Sequence, residues 1–430
     1  VGGTGDPAEG AGVLERLREL PGGPELLALA RGRADVELVG GAVRDLLLGR
    51  APRELDVVVG AEAPALAQAL AARLGVEATV HERFGTALVE HGVVRLDFAT
   101  RRAERYPVPG ALPEVRAGTP EEDLLRRDFT VNALAVALGG AGAGALRAAP
   151  SALEDLRAGR LRVLHERSFL DDPTRLLRLA RYGARLAFDV EEHTAELARE
   201  AIAGGALRTV SGARVGAELR LALGEDRRDA ALGLMHELGL LAAIDPALAF
   251  DRALYTRAHG LLPDDGRPQL LALAVLLLGV LAGEGGEEPS GARARGLLDW
   301  LEFPHGERDG AVAAALEARP LRVALPRCER PAELYIALHR ESVECVALAC
   351  ALDPEREDAR LLADRAGRWL SELRHIALRI TGQDLIAAGV PEGPEVGSRL
   401  LGTLLLRVNG QLRDERDAQL HAALSLPREP

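Results

Sequence analysis

Short apolar runs broken by glycine fill the first third of the chain, and longer amphipathic segments fill the rest. Residues up to about 34 show helical spacing, clearest over 12–20 and 24–31. From Asp35 the pattern turns short and β-rich, with a strand at 36–39 broken by Gly40-Gly41. A short helix over 42–48 follows, ended by Gly49, a residue suited to the left-handed position just past a helix. Residues 54–59 predict a valine-rich strand. Residues 63–74 predict an amphipathic helix with Pro64 in its first turn and Gly75 at its stop. Residues 86–90 and 93–99 predict two strands about a His91-Gly92 hairpin turn. Beyond about Thr119 strand signals fade and helices continue to the end, broken by loops at 283–291 and 389–397. The apolar run 270–282 falls short of the roughly 18 residues a membrane helix needs, so it predicts a buried helix.

These elements predict an α+β head of roughly 110 residues followed by a long, mainly α-helical remainder. Strands and helices are segregated, which points to separate domains rather than one doubly wound sheet. The expected divisions are 1–34, a helical extension; 35–145, the head; 146–225, a helical neck; and 226–430, a helical body and tail. The net charge of −12 excludes a protein that coats nucleic acid indiscriminately but leaves room for a local basic groove. There is no lysine, so all 53 basic residues are arginine. Cys328, Cys345 and Cys350 lie late in the chain without paired metal spacing, and the amino end lacks a signal-peptide pattern. A reduced, cytoplasmic protein is expected, with a few residues missing or trimmed before Val1.

Leu38-Val39-Gly40-Gly41-Ala42-Val43-Arg44-Asp45 reads as strand, glycine turn and helix start. Glycines there let phosphate oxygens approach backbone N–H groups, and Arg44 can add a charged fork; the same pair also reads as an ordinary turn. Glu54-Leu55-Asp56 puts two carboxylates on one face of a strand, with Leu55 and Val57 toward the core. Such a pair suits divalent metal ions in phosphoryl transfer, or is simply two exposed acids on a strand edge. Asp97 brings a third carboxylate if its strand lies alongside.

Two further blocks are charged. Glu121-Glu122-Asp123-Leu124-Leu125-Arg126-Arg127-Asp128-Phe129-Thr130-Val131-Asn132 reads by spacing as a helix start in which Arg126 pairs with Glu122. Asp171-Asp172-Pro173-Thr174-Arg175-Leu176-Leu177-Arg178-Leu179-Ala180-Arg181-Tyr182 predicts a helix with Asp172 and Arg175 sharing a face one turn apart, open to a surface salt bridge.

Taken in order, these blocks resemble the class II tRNA nucleotidyltransferases and bacterial poly(A) polymerases, a family of the DNA polymerase beta superfamily. Phe84-Gly85-Thr86-Ala87, Asp97-Phe98-Ala99-Thr100-Arg101-Arg102 with Tyr106-Pro107 and Pro109-Gly110, and Leu161-Arg162-Val163-Leu164-His165 extend the likeness across residues 36–188. Beyond it, Ser211 to Leu223, with Arg214 and Glu218, and Thr381-Gly382-Gln383-Asp384-Leu385 are similar more weakly. Thr381 also reads simply as a helix cap. The family's first strand acid is aspartate, where this chain has Glu54, one methylene longer. Ten histidines stand singly with no following aspartate, unlike the phosphohydrolase domain that some relatives carry.

The resemblance implies a polymerase-beta-like palm as the head, and a neck that selects the base. It implies magnesium held by Glu54 and Asp56, with Asp97 as a further catalytic acid. Nucleotide contacts are implied for Gly41, Arg44, Arg127, Asp128, Asn132, Asp172, Arg175, Arg178 and Arg181. Cytosine and adenine each offer an amino donor beside an unprotonated ring nitrogen. A carboxylate accepting from the first and an arginine donating to the second would select both bases and leave uracil and guanine mispaired. The implied function is addition of CMP and AMP from CTP and ATP to the tRNA 3′ end, with the tRNA acceptor arm gripped by body and tail. The alternatives are a CC-only or A-only enzyme, a poly(A) polymerase, and a non-catalytic RNA-binding relative.

Overall fold

Val36, Leu38, Leu55, Val57 and Val59 are fully buried, and this apolar set sits in the centre of the main sheet. The computed structural model describes residues 3–4, 7–82, 85–283 and 290–427. Phe84 of the family-like Phe84-Gly85 segment, Val1 and most of the expected loop 283–291 lie outside the described residues. The chain forms two compact units, residues 1–218 with 238–243, and residues 219–237 with 244–430.

The first unit contains ten strands that matter to the site: β1 (Gly3–Thr4), β2 (Val36–Val39), β3 (Glu54–Val59), β4 (Ala78–His81), β5 (Thr86–His91), β6 (Val94–Thr100), β7 (Arg102–Arg105), β8 (Glu114–Ala117), β9 (Leu134–Ala137) and β10 (Leu146–Ala148). Eight of these make one mixed sheet in the order β1-β10-β9-β2-β3-β6-β5-β4, while β7 and β8 form a separate ribbon. All pairs of the large sheet are antiparallel except β3 with β6. The helices of this unit include α1 (Pro7–Arg18), α2 (Gly23–Ala30), α3 (Gly41–Leu47), α4 (Ala63–Leu74), α5 (Pro120–Leu125), α6 (Ala152–Ala158), α7 (Ser168–Asp171), α8 (Thr174–Leu186), α9 (Glu192–Ala203) and the first part, up to Glu218, of α10 (Gly212–Leu223). The α+β head followed by a mainly helical chain is the architecture expected from the sequence.

The strands β2 and β3 and the helix α4 keep their expected bounds, and Gly75 takes the left-handed conformation at φ 69°. The hairpin differs by one residue. His91 pairs with Val94, so the loop is Gly92-Val93, with Gly92 at φ 63°. The expectation that strands end near Thr119 is corrected by β9 and β10. Residues 131 and 133–136 are almost wholly buried, so β9 lacks the alternation by which a half-exposed strand is recognised. The expected loop at 389–397 is shorter, because a helix begins at Pro394 (Pro394–Val408) with proline in its first turn.

The second unit is built of helices. Helix Pro268–Ala282 fulfils the buried-helix reading of the apolar run: every residue from Leu270 to Leu277 is buried, as are Val280 and Leu281. Among the described residues no helix is long and apolar enough to cross a membrane. Cys345 and Cys350 are buried, Cys328 is partly so, and all three are free thiols. Asp384 accepts from the Thr381 backbone N–H at 2.7 Å and from its hydroxyl at 3.0 Å, closing the cap at that helix start.

Candidate active site

The parallel register of β3 and β6 sets Asp56 directly beside Asp97, and Glu54 beside Arg95. In-register neighbours share a face, so three carboxylates and one arginine cluster on one side of the ribbon. Asp97 therefore joins the strand acids as expected. Arg95 spans them, donating to Asp97 at 2.9 and 3.1 Å and lying 3.9 Å from Glu54. Burial, followed by the neighbouring Asp97 and Glu54 charges, pushes the Asp56 carboxyl up to about 6, against the pull of Arg127. Glu54 and Asp97 lie outside the adjoining cavity, and the Glu54 side chain is 53% exposed.

A cavity of about 330 Å³ opens next to Asp56. Its lining takes in Gly41, Arg127, Asp128 and Asn132 from the head together with Asp172, Arg175 and Arg178 from the helical segment that follows. These seven of the sequence-expected residues thus converge with Asp56 on one space. Arg102, Glu104, Tyr106, Arg126, Tyr182 and Arg214 also line it.

The turn that floors this cavity requires glycine on two counts. Gly40 has φ 70°, and a Cβ there would stand 2.6 Å from Arg127 Nη1 and 3.4 Å from Asp56 Oδ2. Arg127 is thereby packed onto the turn, with Nη2 donating to Asp123 at 3.2 Å and its buried Nε without a hydrogen-bond partner among the described residues. Arg126 pairs with Asp123 at 2.9 Å and Glu104 at 2.9 Å. The expected partner Glu122 instead binds Arg116, because it reaches back to cap α5 at Thr119.

Neither Arg44 nor Arg181 lines the cavity. Arg44 is 2% exposed and holds the Asn132 side-chain oxygen and Asp45. Arg181 is 5% exposed and binds Glu218 at 3.0 and 3.2 Å. Both guanidinium groups approach the Tyr182 ring, at 5.6 and 4.8 Å. Asn132 passes the contact on by donating to Asp128 Oδ1 at 2.9 Å, and Asp128 Oδ2 accepts from Arg178. Burial opposes ionisation of Asp128, but Arg178 and the Asn132 bond outweigh it and hold the carboxyl well below the usual range.

Asp172 and Arg175 do not share a helical face. The helix α8 starts only at Thr174, and Asp172 precedes it in extended conformation at φ −133° and ψ 93°. Its Oδ1 accepts from the Thr174 N–H at 3.1 Å, the Thr174 hydroxyl at 2.6 Å and Arg214 Nη2 at 2.8 Å. Arg175 instead donates to Ser168 Oγ at 2.7 Å and to the Arg126 main-chain oxygen at 2.8 Å. The two side chains therefore face one cavity without neutralising each other. Arg214 was visible in the sequence only as part of a weak likeness, and nothing local tied it to a residue 42 positions earlier.

A carboxylate ribbon beside a cleft rich in arginine, under a mixed sheet, defines a head of the nucleotidyltransferase class. Residues 36–162 match the poly A polymerase head domain. A CC-adding tRNA nucleotidyltransferase of Deinococcus radiodurans is 33% identical over 393 residues, 91% of this chain and 90% of that protein. An A-adding tRNA nucleotidyltransferase of Geobacter sulfurreducens is 33% identical over 408 residues, 91% of this chain and 45% of that protein. The chain thus spans less than half the length of the A-adding relatives it matches. The structure of a Thermotoga maritima CCA-adding enzyme complexed with tRNA superposes with a TM-score of 0.72 at 25% identity, covering 94% of this chain and 95% of that one. The chain belongs to the tRNA nucleotidyltransferase family. Nucleotidyltransferases of this superfamily are generally metal-dependent.

Proposed function

We propose that this chain is a template-independent tRNA nucleotidyltransferase that adds CMP and AMP, from CTP and ATP, to the tRNA 3′ end. The observation that carries the reading is the convergence of Asp56, Arg127, Asp172 and Arg175 on a single cavity. In the reaction the RNA 3′-hydroxyl oxygen forms a bond to the α-phosphorus and gives up its proton to solvent, while the bond from the α-phosphorus to the bridging oxygen of the β-phosphate breaks and pyrophosphate leaves. Arg127, over the Gly40-Gly41 turn, orients the triphosphate by charge-assisted hydrogen bonds. Asp128 and Asn132 act chiefly by holding Arg178 and each other, with Arg44 holding Asn132 and Arg181 holding Glu218, which faces Arg178 at 3.5 Å.

All donors on the ribbon are carboxylate oxygens, which suits magnesium, an ion held through one or two carboxylates plus substrate phosphates. The raised Asp56 carboxyl fits the same reading, as a half-buried acid beside two other carboxylates. Asp56 and Asp97 would hold the ion, with Glu54 at the exposed rim and Arg95 yielding its hold on Asp97. When bound, magnesium supplies positive charge to the attacking oxygen and the departing phosphate.

Base choice rests on Asp172 and Arg175. Among the described residues every hydrogen bond to Asp172 falls on Oδ1, which leaves Oδ2 to accept from the amino group of cytosine or adenine. Arg175 donates to the neighbouring ring nitrogen. Uracil or guanine would set acceptor against carboxylate and donor against guanidinium, at about 1–3 kcal/mol for each unpaired group. Arginines of the body and tail, residues 226–430, grip the acceptor arm through its phosphates, and the protein works in the cytoplasm.

Purified protein given labelled tRNA lacking CCA, ending in CC, or complete, with CTP and ATP singly and together, tests the reading. Incorporation of C, C and A in order supports it. Use of ATP only on CC-ended tRNA identifies an A-adder, use of CTP alone a CC-adder, and long adenylate tails a poly(A) polymerase. Tight tRNA binding without incorporation refutes an enzymatic role.

A further inference from the structure

Ser168 is wholly buried at the first position of α7, where a hydroxyl contributes nothing to core packing and must find a partner. It serves both members of the base-reading pair. Its main-chain oxygen accepts the N–H of Asp172 at 3.2 Å, and its Oγ accepts from Arg175 Nη1 at 2.7 Å. Its own N–H is fixed to the His165 oxygen at 3.0 Å. Among the described residues the guanidinium of Arg175 has one further hydrogen bond, to the Arg126 oxygen at 2.8 Å. Arg175 is only 4% exposed, so freeing one of its donors leaves a buried polar group unpaired and lets the long side chain leave its rotamer.

We propose that Ser168 is a positioning residue for base selection: its hydroxyl holds Arg175 at the angle where the guanidinium meets the ring nitrogen of cytosine or adenine. The inference rests on the base-reading role given above to Asp172 and Arg175. Ser168 does not touch the nucleotide; it acts through Arg175. Alanine at this position removes the hydroxyl while keeping the main-chain bond to Asp172, so it separates the two holds.

The test is single-nucleotide incorporation by the full chain on tRNA substrates, with wild type, Ser168→Ala, Arg175→Ala and the double variant. A contact made equally in ground and transition states appears in KM. Ser168→Ala should raise KM for CTP and ATP about tenfold, leave kcat within about threefold, and raise UMP misincorporation relative to CMP about tenfold. In the Arg175→Ala background the same change should add less than about twofold, because the group through which it acts is gone. A folded Ser168→Ala protein with unchanged KM and selectivity overturns the inference, as does an equal loss in both backgrounds. If Ser168→Ala fails to fold, Ser168→Cys keeps the volume with a weak acceptor; an intermediate rise in KM supports the inference and none overturns it. A wild type that uses UTP and GTP as readily as CTP and ATP removes the base-reading role itself, and this inference with it.

Discussion

Arg214 donates to Asp172 Oδ1 at 2.8 Å and, through its other terminal nitrogen, to the main-chain oxygen of Gly110 at 3.0 Å. One guanidinium thus ties the proposed base-reading carboxylate to the connection between β7 and β8. Gly110 is itself fixed, with φ 72° and no room for a Cβ, which would stand 2.0 Å from Thr209 Oγ1.

Replacing Arg214 with methionine should cost selectivity more than stability. The pair is partly exposed, with side chains 26% and 18% accessible, so its screened contribution to folding is about 1 kcal/mol or less. Without Arg214, Asp172 keeps only the two Thr174 bonds on Oδ1, so its carboxylate is less firmly aimed at the base and discrimination of CTP against UTP should fall about tenfold. Incorporation ratios beside a melting curve check this; a large drop in melting temperature with intact selectivity would contradict it.

Asp56→Asn should abolish incorporation, by more than about a thousandfold, while tRNA binding persists. It should also stabilise the metal-free protein. A carboxyl raised to about 6 in the folded state favours folding below the unfolded value near 3.8, and that advantage is lost as pH rises through about 6. Above that window the asparagine variant should be more stable by about 1–3 kcal/mol, allowing for solvent screening at the cavity mouth. Urea unfolding between pH 4 and 8 without metal measures it; parallel curves for the two proteins would refute it.

Gly40→Ala should harm both fold and chemistry. The positive φ of 70° strains any side chain there, at about 1–3 kcal/mol, and the new methyl, 2.6 Å from Arg127 Nη1, pushes that guanidinium aside. Displacement of Arg127 should raise KM for both nucleotides. Thermal unfolding and steady-state kinetics report the two effects separately.

Asp128→Ala should destabilise the protein by about 1–3 kcal/mol, because it leaves the Asn132 amide without its acceptor and leaves Arg178, a third exposed, only Glu218 at 3.5 Å. In the wild type the carboxyl is lowered, so its stabilisation is present above the unfolded carboxylate value and lost only as pH falls through the still lower folded value. The alanine variant should therefore lose acid dependence as well as stability. Denaturant midpoints at pH 3 and pH 7 decide the matter.

Legibility in the sequence followed the range of the forces involved. Val36–Val39, Glu54–Val59 and Ala63–Leu74 were readable because valine content, helical spacing, Pro64 and Gly75 act within a few residues. Leu134–Ala137 was not readable, since a strand covered on both faces shows no alternation and looks like any apolar run. The partners of Arg126 were not readable for a related reason. Helical spacing offered Glu122, but that carboxylate was already committed to the cap at Thr119 and to Arg116.

The sequence by itself determined the α+β head, the helical remainder, the strand carrying Glu54 and Asp56, and the motif set that names the family. Only the tertiary structure decided that Asp97 lies beside Asp56, that Arg44 and Arg181 sit beneath the cavity, and that Asp172 precedes α8 with Arg214 on one oxygen. Periodicity and capping depend on near neighbours along the chain. Register and ion pairing depend on groups brought together by burial from tens of residues away, and only a packed core fixes which of them meet.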